Sequence, residues 1–442
     1  MTNEYDIDWA EFDAEEWEEL DGDERTAFLA TIIRQEESAE EAEASLEELQ
    51  RLADTAGIMV LGSYSQRRNH PERASFFGKG WLTDIAQKMQ QAGAELLIVN
   101  EELTPIQGRN IENHFGIQVI DRTEVILQIF HEHAKTREAR LQVRLAELQY
   151  QLPRLRRLWT HFDKERGSAR SAGGAASRGM GEKQIEIDKR LIRLQIRKVT
   201  AALDTVAKQK ETHRKQRSNA LKLCLVGYTN AGKSTLFNAL TGAGVLVEDR
   251  LFATLDSTSR QLKLSTGAPL VISDTVGFIS RLPHHLVASF RATLMEVLDA
   301  DLLLHIVDAS DERYEYYIEQ VNGVLADIGA GSIPQLVVLN KSDRLSGAMI
   351  QLIQARYPEA AIISATHKQG IDELLNSVET KLLDARKLVL QLPFDQGSLV
   401  SKLHEISMVH KEEYNENGVK LWLSISGRDL HLVEPYIIED TK

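Results

Sequence analysis

The chain has 442 residues, which predicts roughly two to four domains with separate hydrophobic cores. Hydrophobic residues make up 43% and charged residues 27% of the chain, as in ordinary globular proteins, and no apolar run reaches the ~18 residues of a membrane helix. The single cysteine, Cys224, excludes an intrachain disulfide framework and fits a reducing cytoplasm.

The first 50 residues account for the net charge of −14, because they hold 19 Asp and Glu but 2 Lys and Arg. They lack the apolar segment that a signal peptide requires. We expect residues 1–50 to form an acidic extension that is partly disordered or loosely helical. Two interpretations stay open: a solvating appendage, or an autoinhibitory arm that covers a basic surface of the same protein.

Residues 51–123 alternate between short apolar strands and amphipathic helices. The strands are predicted at Ile58–Leu61, Glu95–Val99 and Ile117–Ile120, with helices over Trp81–Gln91 and Ile106–His114 between them. Strand–helix–strand order favours parallel pairing. We therefore predict a small α/β subdomain here.

Residues 124–218 predict two long helices joined by a loop. Leucines repeat at alternating spacings of four and three from Leu141 to Leu155, and a second apolar repeat runs from Ile192 to Val206. Between them, residues 166–181 are too rich in Gly and Ser to favour a helix. Pro153 should interrupt the first helix. The pattern predicts an antiparallel helical hairpin with a flexible tip.

The hairpin is strongly basic, since residues 135–222 contain 23 Lys and Arg against 9 Asp and Glu. A charged helix is often only a solvated face, but this imbalance is too one-sided for salt-bridge lacing. Arg166, Arg170 and Arg178 lie in the predicted tip, where packing does not need them. Such a surface suits phosphate backbones, so we predict that these arginines contact RNA, without recognition of a DNA sequence.

A phosphate-binding loop follows the apolar strand Leu221–Val226 and precedes a predicted helix at Thr235–Leu240. Its glycines let backbone N–H groups point at phosphates, and its lysine would reach the β- and γ-phosphates of a nucleotide. Its serine hydroxyl would bind Mg²⁺. The motif consists of Gly227, Tyr228, Thr229, Asn230, Ala231, Gly232, Lys233 and Ser234, followed by Thr235.

Three further motifs follow later strands. Asp274, Thr275, Val276 and Gly277 form a DxxG, whose carboxylate can hold Mg²⁺ through water and whose glycine N–H can contact the γ-phosphate. An NKxD is made by Asn340, Lys341, Ser342 and Asp343, and its carboxylate pairs with guanine but finds no such donors on adenine. Ser364 and Ala365 would close over the base. This order of motifs is typical of a translation-factor type of GTPase and places the domain at residues 219–385.

Residues 386–442 predict a small α+β domain. A strand is expected at Leu388–Leu392, a helix at Leu399–Ile406, and a hairpin that turns at Asn417 and Gly418. The predicted fold class is therefore α/β. The GTPase domain is of the P-loop type and has a mostly parallel sheet flanked by helices. The other parts are an N-terminal α/β domain, an antiparallel helical hairpin and a C-terminal α+β domain.

The motif Leu225–Asn238, with Leu251–Asp256 and Asp274–Phe278, closely resembles the HflX family of GTPases. The resemblance extends over most of the chain from about residue 55. It implies that Thr254 is the switch I threonine that binds Mg²⁺ and acts with Lys233 and Gly277 in hydrolysis, and that Thr258 is a less favoured substitute. The chain departs from the family at Met180 and Lys183, where proline and threonine are common.

By this resemblance we expect a cytoplasmic, monomeric GTP-binding and GTP-hydrolysing factor that binds the large (50S) ribosomal subunit and its rRNA, and splits or rescues 70S ribosomes. Association at the membrane periphery stays an alternative location. One alternative function is a ribosome-assembly GTPase on immature large subunits. Another is a nucleotide-sensing RNA-binding protein with negligible turnover.

Phe278 occupies the position after DxxG where many GTPases have a glutamine, and it cannot orient water by hydrogen bonding. We therefore predict slow intrinsic hydrolysis that the ribosome stimulates. Asn230 leaves two interpretations open: it holds K⁺ beside the β- and γ-phosphates, or it only caps the loop.

Overall fold

The computed structural model describes residues 25–35, 37–155, 176–215, 220–242, 251–252, 258–264, 268–280, 296–383, 386–415, 417–425 and 430–441. These residues form two compact units. The first holds the described residues up to His213 together with Leu251 and Phe252, and the second holds the rest. None of the described helices is both long and apolar enough to cross a membrane.

A four-stranded parallel sheet of order β2-β1-β3-β4 forms the core of the first unit. The interior strands are almost wholly buried, as expected for a parallel sheet covered on both faces, whereas the edge strand β2 exposes alternate residues. In chain order the elements are β1 Thr26–Ile33, α1 Ala39–Thr55, β2 Met59–Arg67, α2 Lys79–Ala92, β3 Leu96–Val99, α3 Pro105–Phe115, β4 Gln118–Asp121 and α4 Arg122–His133.

Residues 26–33 form strand β1 and residues 39–50 lie in helix α1, which corrects the prediction of a partly disordered or loosely helical extension over these residues. Strand β1 pairs with both β2 and β3, and it buries Phe28 and Ile32. Helix α1 begins with a capping box in which Ser38 and Glu41 exchange hydrogen bonds. Composition misled the prediction because many acidic residues lie on the exposed face of α1. Residues 1–24 lie outside the described residues.

Helices α5 (Arg137–Gln151) and α6 (Ala176–Lys215) pack through the predicted apolar seam, in which Leu141, Leu145 and Leu148 cluster with Val199. This confirms the heptad pattern over the described residues. Helix α5 ends at Gln151, and a 3₁₀ turn, Leu152–Arg154, contains Pro153. The predicted interruption is therefore present.

The predicted loop at residues 166–181 is wrong at its carboxyl end, because α6 already begins at Ala176. Each glycine weakens a helix by about 1 kcal/mol relative to alanine, yet the good helix formers at residues 182–184 can extend the helix backward through two glycines. Arg178 therefore lies on helical backbone. Arg166 and Arg170 fall outside the described residues.

The larger sheet of the second unit has six strands in the order β10-β9-β8-β5-β7-β6. All neighbours are parallel except the pair of β6 and β7, which confirms a mostly parallel sheet. Its elements are β5 Leu221–Gly227, α7 Lys233–Thr241, β6 Thr258–Lys263, β7 Pro269–Asp274, β8 Leu302–Asp308, α8 Tyr314–Asp327, β9 Gln335–Asn340, α9 Gly347–Arg356, β10 Ala361–Ile362 and α10 Ile371–Leu383.

A separate antiparallel sheet of order β12-β13-β11-β14 closes the chain. Asn415 pairs with Gly418, so Gly418 is the first residue of a strand and not part of the turn, where it was predicted. The last strand was not predicted. The elements are β11 Arg386–Leu392, α11 Gly397–Ile406, β12 Met408–Asn415, β13 Gly418–Ile425, α12 Leu430–Val433 and β14 Ile437–Thr441.

Candidate nucleotide-binding site

The predicted motifs meet at one edge of the six-stranded sheet. The phosphate loop follows β5, the DxxG segment follows β7 and the NKxD segment follows β9. Strand β5 lies where the chain changes from β6 and β7 on one side to β8, β9 and β10 on the other. Open α/β sheets bind ligands at such a switch point. The structure therefore brings the motifs to a single site.

Close backbone approach explains two glycines of the phosphate loop. Gly227 has a φ of +151°, and a Cβ there would lie 2.2 Å from the Ile306 carbonyl oxygen. Gly232 has a φ of +95°, and its Cβ would lie 2.2 Å from Nδ2 of Asn340. Asn230 also has a positive φ, of 61°, and is exposed. The loop thus curls tightly into the first turn of α7, which contains Thr235.

The buried Lys233 ammonium is held by the loop itself. It donates hydrogen bonds to the carbonyl oxygens of Gly227 at 3.1 Å and Tyr228 at 2.8 Å. An ammonium has three donors, so a third remains for a phosphate oxygen. Burial lowers the pKa of Lys233 to about 8, and the Asp274 carboxylate partly opposes this shift. A bound polyphosphate would raise that pKa again, because it adds negative charge nearby.

Ser234 and Asp274 form a pair that fits Mg²⁺. The Ser234 hydroxyl donates to Oδ2 of Asp274 at 2.6 Å, while Oδ1, also buried, has no partner among the described residues. Hydroxyl and carboxylate oxygens are the ligands that Mg²⁺ takes when phosphates supply others. The described residues contain no group of three His, Cys, Asp or Glu that could hold a metal.

The segment after Asp274 is anchored to neighbouring strands. Thr275 donates its hydroxyl to the Leu225 carbonyl at 2.6 Å, and Val276 is half-buried. Phe278 then pairs with the phosphate loop, donating to the Gly227 carbonyl at 3.1 Å and accepting from the Thr229 N–H at 2.7 Å. A Cβ on Gly277 would lie 3.0 Å from Lys233 Nζ. Gly277 thus lies beside the group predicted to bind phosphate.

Tyr228 has contacts that the sequence analysis missed. Its hydroxyl accepts a hydrogen bond from the Ser280 N–H at 2.7 Å, and its ring packs on Tyr317 of α8 at a centroid distance of 4.3 Å. It therefore connects the phosphate loop to the chain after DxxG and to α8. The one feature of the sequence that could have indicated these contacts is the presence of an aromatic residue inside a glycine-rich loop.

Asn340 joins three of the predicted motifs. Its buried amide donates to the Ala231 carbonyl at 2.9 Å and accepts from the Ala365 N–H at 3.0 Å. The Ser342 N–H reaches the Ile363 carbonyl at 3.1 Å. Asn340 therefore holds the phosphate loop and the two predicted base-binding segments in a fixed relation. The sequence identified Asn340 as the first residue of the NKxD motif, but it did not predict that this side chain connects the motifs.

Asp343 presents a carboxylate that is held in place and ionised. Its Oδ1 accepts from the Ser364 hydroxyl at 2.5 Å, and this hydrogen bond is the main reason that the pKa of Asp343 lies below its ordinary value. His367 Nδ1 lies 3.1 Å from the same hydroxyl. Such a carboxylate can accept hydrogen bonds from a base that offers two adjacent donors.

Lys341 adopts a φ of +61°, and its ammonium pairs with Asp308 at the end of β8 at 2.7 Å. Asp308 lies outside the motifs predicted from the sequence. The positive φ places the residue at the sharp turn between β9 and the 3₁₀ turn Ser342–Arg344. This ion pair joins the carboxyl ends of β8 and β9 beside the candidate base site.

Thr254 lies outside the described residues, so its predicted role at the metal stays a prediction. Two residues before it in the chain, Phe252 is buried and packs edge-to-face on Phe130 of α4, with ring centroids 4.7 Å apart. Leu251 is buried as well. The start of the predicted switch I segment is thus anchored in the first unit by apolar contacts.

Three protein families match successive stretches of the chain. The first is described as GTP-binding GTPase N-terminal and matches residues 43–131. The second, GTP-binding GTPase Middle Region, matches residues 133–217, and the third, 50S ribosome-binding GTPase, matches residues 222–341.

Curated relatives named GTPase HflX align with most of the chain. The relative from Caldanaerobacter subterraneus subsp. tengcongensis is 40% identical, over 91% of this chain and 92% of its own. That from Magnetococcus marinus is 41% identical, over 88% and 89% of the two chains. That from Escherichia coli is 39% identical, over 91% and 93%.

Proposed function

The chain belongs to the HflX family of GTPases, and so binds and hydrolyses GTP. We propose that it uses GTP binding and hydrolysis to act on ribosomes. In this proposal the protein binds the 50S subunit and its rRNA, and it splits or rescues 70S ribosomes. The ribosome in turn stimulates its hydrolysis.

The observation that carries the proposal is the basic charge of the helical pair. Residues 135–222 hold 23 Lys and Arg against 9 Asp and Glu, and they overlap both α5 and α6. A surplus of this size suits the phosphate backbone of RNA, whose contacts position a protein without reading sequence. The family description "50S ribosome-binding GTPase" for residues 222–341 supports the same partner.

The nucleotide site supports a mechanism based on charge stabilisation. Lys233 and the loop amides would hold the phosphates, while Ser234 and Asp274, with Thr254, would hold Mg²⁺. The metal would neutralise charge that develops on the phosphates during hydrolysis. Asp343 would accept from N1–H and the amino group of guanine, with Ser364 keeping its carboxylate in place.

The phenyl ring of Phe278 is buried, and its backbone is engaged by the phosphate loop. The residue after DxxG therefore offers no side-chain group to orient the attacking water. We infer that intrinsic turnover is slow and that the ribosome stimulates it by ordering the switch segments.

Sucrose-gradient sedimentation tests the ribosomal role. We expect the protein with a non-hydrolysable GTP analogue to co-sediment with 50S subunits and to convert 70S particles into subunits, and GDP to abolish both effects. If the protein binds immature large subunits in preference to mature 50S subunits, and 70S particles stay intact, the result would support the ribosome-assembly alternative instead. Hydrolysis that 50S subunits fail to raise would contradict stimulation by the ribosome.

We also propose a K⁺ site beside Asn230, whose exposed side chain lies in the left-handed turn of the loop. A cation there would add positive charge next to the β- and γ-phosphates. Hydrolysis should then be faster in KCl than in NaCl, and Asn230→Ala should remove the difference. Equal rates of the natural protein in both salts would leave Asn230 with a capping role only.

The proposed arrangement assigns GTP hydrolysis to residues 219–385 and RNA contact to residues 124–218, including Arg166, Arg170 and Arg178. The α/β domain before them and the α+β domain at 386–442 would add docking surface. We propose a monomer that works in the cytoplasm on ribosomes. Size-exclusion chromatography with light scattering tests the proposed monomer, which should have a molar mass near the 49.7 kDa of one chain.

A further inference from the structure

Thr229 carries a buried hydroxyl with no hydrogen-bond partner among the described residues. The residue is 7% exposed, and its backbone N–H is already used by the Phe278 carbonyl at 2.7 Å. A buried hydroxyl without a partner is unfavourable, so its presence in a native fold calls for a physical explanation. Glycine or alanine at this position would avoid the problem.

The position of Thr229 suggests what this hydroxyl binds. A Cβ built on Gly277 would lie 2.8 Å from Thr229 Cγ2, 2.9 Å from its Cα and 3.0 Å from Lys233 Nζ. The methyl carbon and Cα of Thr229 and the Lys233 ammonium therefore lie around the same point beside Gly277, which places the residue that carries the hydroxyl next to Lys233. Lys233 reaches the β- and γ-phosphates in a phosphate loop, and the DxxG glycine contacts the γ-phosphate. In a bound nucleotide, Thr229 would thus lie closer to the terminal phosphate than to the base.

We propose that the Thr229 hydroxyl donates a hydrogen bond to the terminal phosphate of GTP, and that this contact is absent when GDP is bound. A hydroxyl is a good donor to a charged oxygen, and the bond is strong because the acceptor is ionised. Thr229 would then help the protein to distinguish GTP from GDP. The contact belongs to the nucleotide site and is independent of the ribosomal role proposed above.

Thr229→Val tests the contact, because valine keeps the branched shape and removes only the hydroxyl. We expect its affinity for GDP to stay within about twofold of the natural protein and its affinity for a non-hydrolysable GTP analogue to fall about tenfold, as for loss of one charge-assisted hydrogen bond. Thr229→Ser should restore analogue binding. Titration calorimetry in Mg²⁺ buffer measures both nucleotides.

Thermal unfolding without nucleotide shows whether the variant folds. Replacing a buried, unpaired hydroxyl by a methyl group should leave the melting temperature unchanged or raise it. Thr241→Val is the matched control, because the Thr241 hydroxyl already donates to the Phe237 carbonyl at 2.7 Å, away from the phosphate loop. It should bind both nucleotides as the natural protein does.

Three results would overturn the proposal. Unchanged binding of both nucleotides to Thr229→Val would mean that the hydroxyl has no ligand. Equal loss of GDP and analogue would mean that Thr229 only shapes the loop. Normal analogue binding with slower hydrolysis would assign the hydroxyl to the attacking water and not to the bound phosphate.

Discussion

At the scale of single residues, we expect selection of the base to depend on Asp343 and on the Ser364 hydroxyl that holds its carboxylate. Asp343→Asn keeps the size of the side chain but replaces one acceptor oxygen by a donor amide. We expect GDP affinity to fall at least about 100-fold, because the amide cannot accept from both guanine donors. Xanthosine diphosphate, with a carbonyl in place of the amino group, should bind better to the variant than to the natural protein.

Competition against a fluorescent nucleotide measures both affinities. Asp395→Asn, at an exposed position outside the nucleotide motifs, is the control and should bind GDP normally. If Asp343→Asn retains full GDP affinity, Asp343 does not recognise the base.

The protein should lose stability in acid because His305 on β8 is buried. Burial lowers the pKa of His305 from 6.5 to about 4, so between these values the unfolded chain takes up a proton that the folded chain does not. Stability should therefore fall as pH drops from 6.5 to 4, by up to about 1.4 kcal/mol per pH unit from this group.

Urea unfolding at pH 7 and pH 5 measures the effect. His305→Leu removes the titrating group from a buried strand position and should lose less stability between the two pH values than the natural protein. An equal loss in both proteins would assign the acid sensitivity to other groups.

At the scale of elements, strand β1 is the part of the first unit that composition concealed. Phe28 is 2% exposed and packs in the core of the parallel sheet, with its ring centroid 4.8 Å from that of Tyr64. Phe28→Ala should destabilise the first unit by roughly 3 to 5 kcal/mol, the usual cost of deleting a buried phenyl ring.

Urea or thermal unfolding followed by circular dichroism checks this expectation. Met59→Ala on the neighbouring strand β2 is the control, because Met59 is 48% exposed and should contribute little. A Phe28→Ala protein as stable as the Met59→Ala protein would contradict an interior position for β1.

The contact of Phe252 with Phe130 anchors the start of the segment that is predicted to be switch I. A T-shaped aromatic pair contributes about 0.5 to 1.5 kcal/mol beyond its buried area. The chain that leads to Thr254 therefore begins from a fixed apolar contact with α4.

At the scale of the whole molecule, charge is divided between an acidic amino terminus and a basic helical pair. Residues 1–24 contain 12 Asp and Glu and no Lys or Arg. If this segment covers the basic helices, its deletion should tighten RNA binding at low salt, and the effect should shrink as salt screens the charges.

Filter binding or fluorescence anisotropy with rRNA fragments measures this affinity. The truncation must stop at residue 24, because removing residues 1–50 would also delete β1 and most of α1. Equal affinity of the two proteins at every salt concentration would leave the segment as a solvating appendage.

The sequence alone determined the parts of this protein whose chemistry is local. Glycines, a lysine and a serine at fixed spacing specify a phosphate loop, and a strand before each motif brings the motifs to one sheet edge. Heptad spacing likewise identified the seam of α5 and α6, because helical periodicity relates residues only three or four positions apart.

Only the tertiary structure decided features that depend on residues far apart in the chain. Strand β1 lies in the interior of its sheet because it pairs with both β2 and β3. In the pairing with β3, Ala27 lies opposite Leu96, which is 69 positions later in the chain. Asn340 joins Ala231 to Ala365. The Thr229 N–H donates to the Phe278 carbonyl, while its buried hydroxyl has no hydrogen-bond partner among the described residues. Burial and hydrogen-bond satisfaction are properties of the packed chain, so no local pattern contains them.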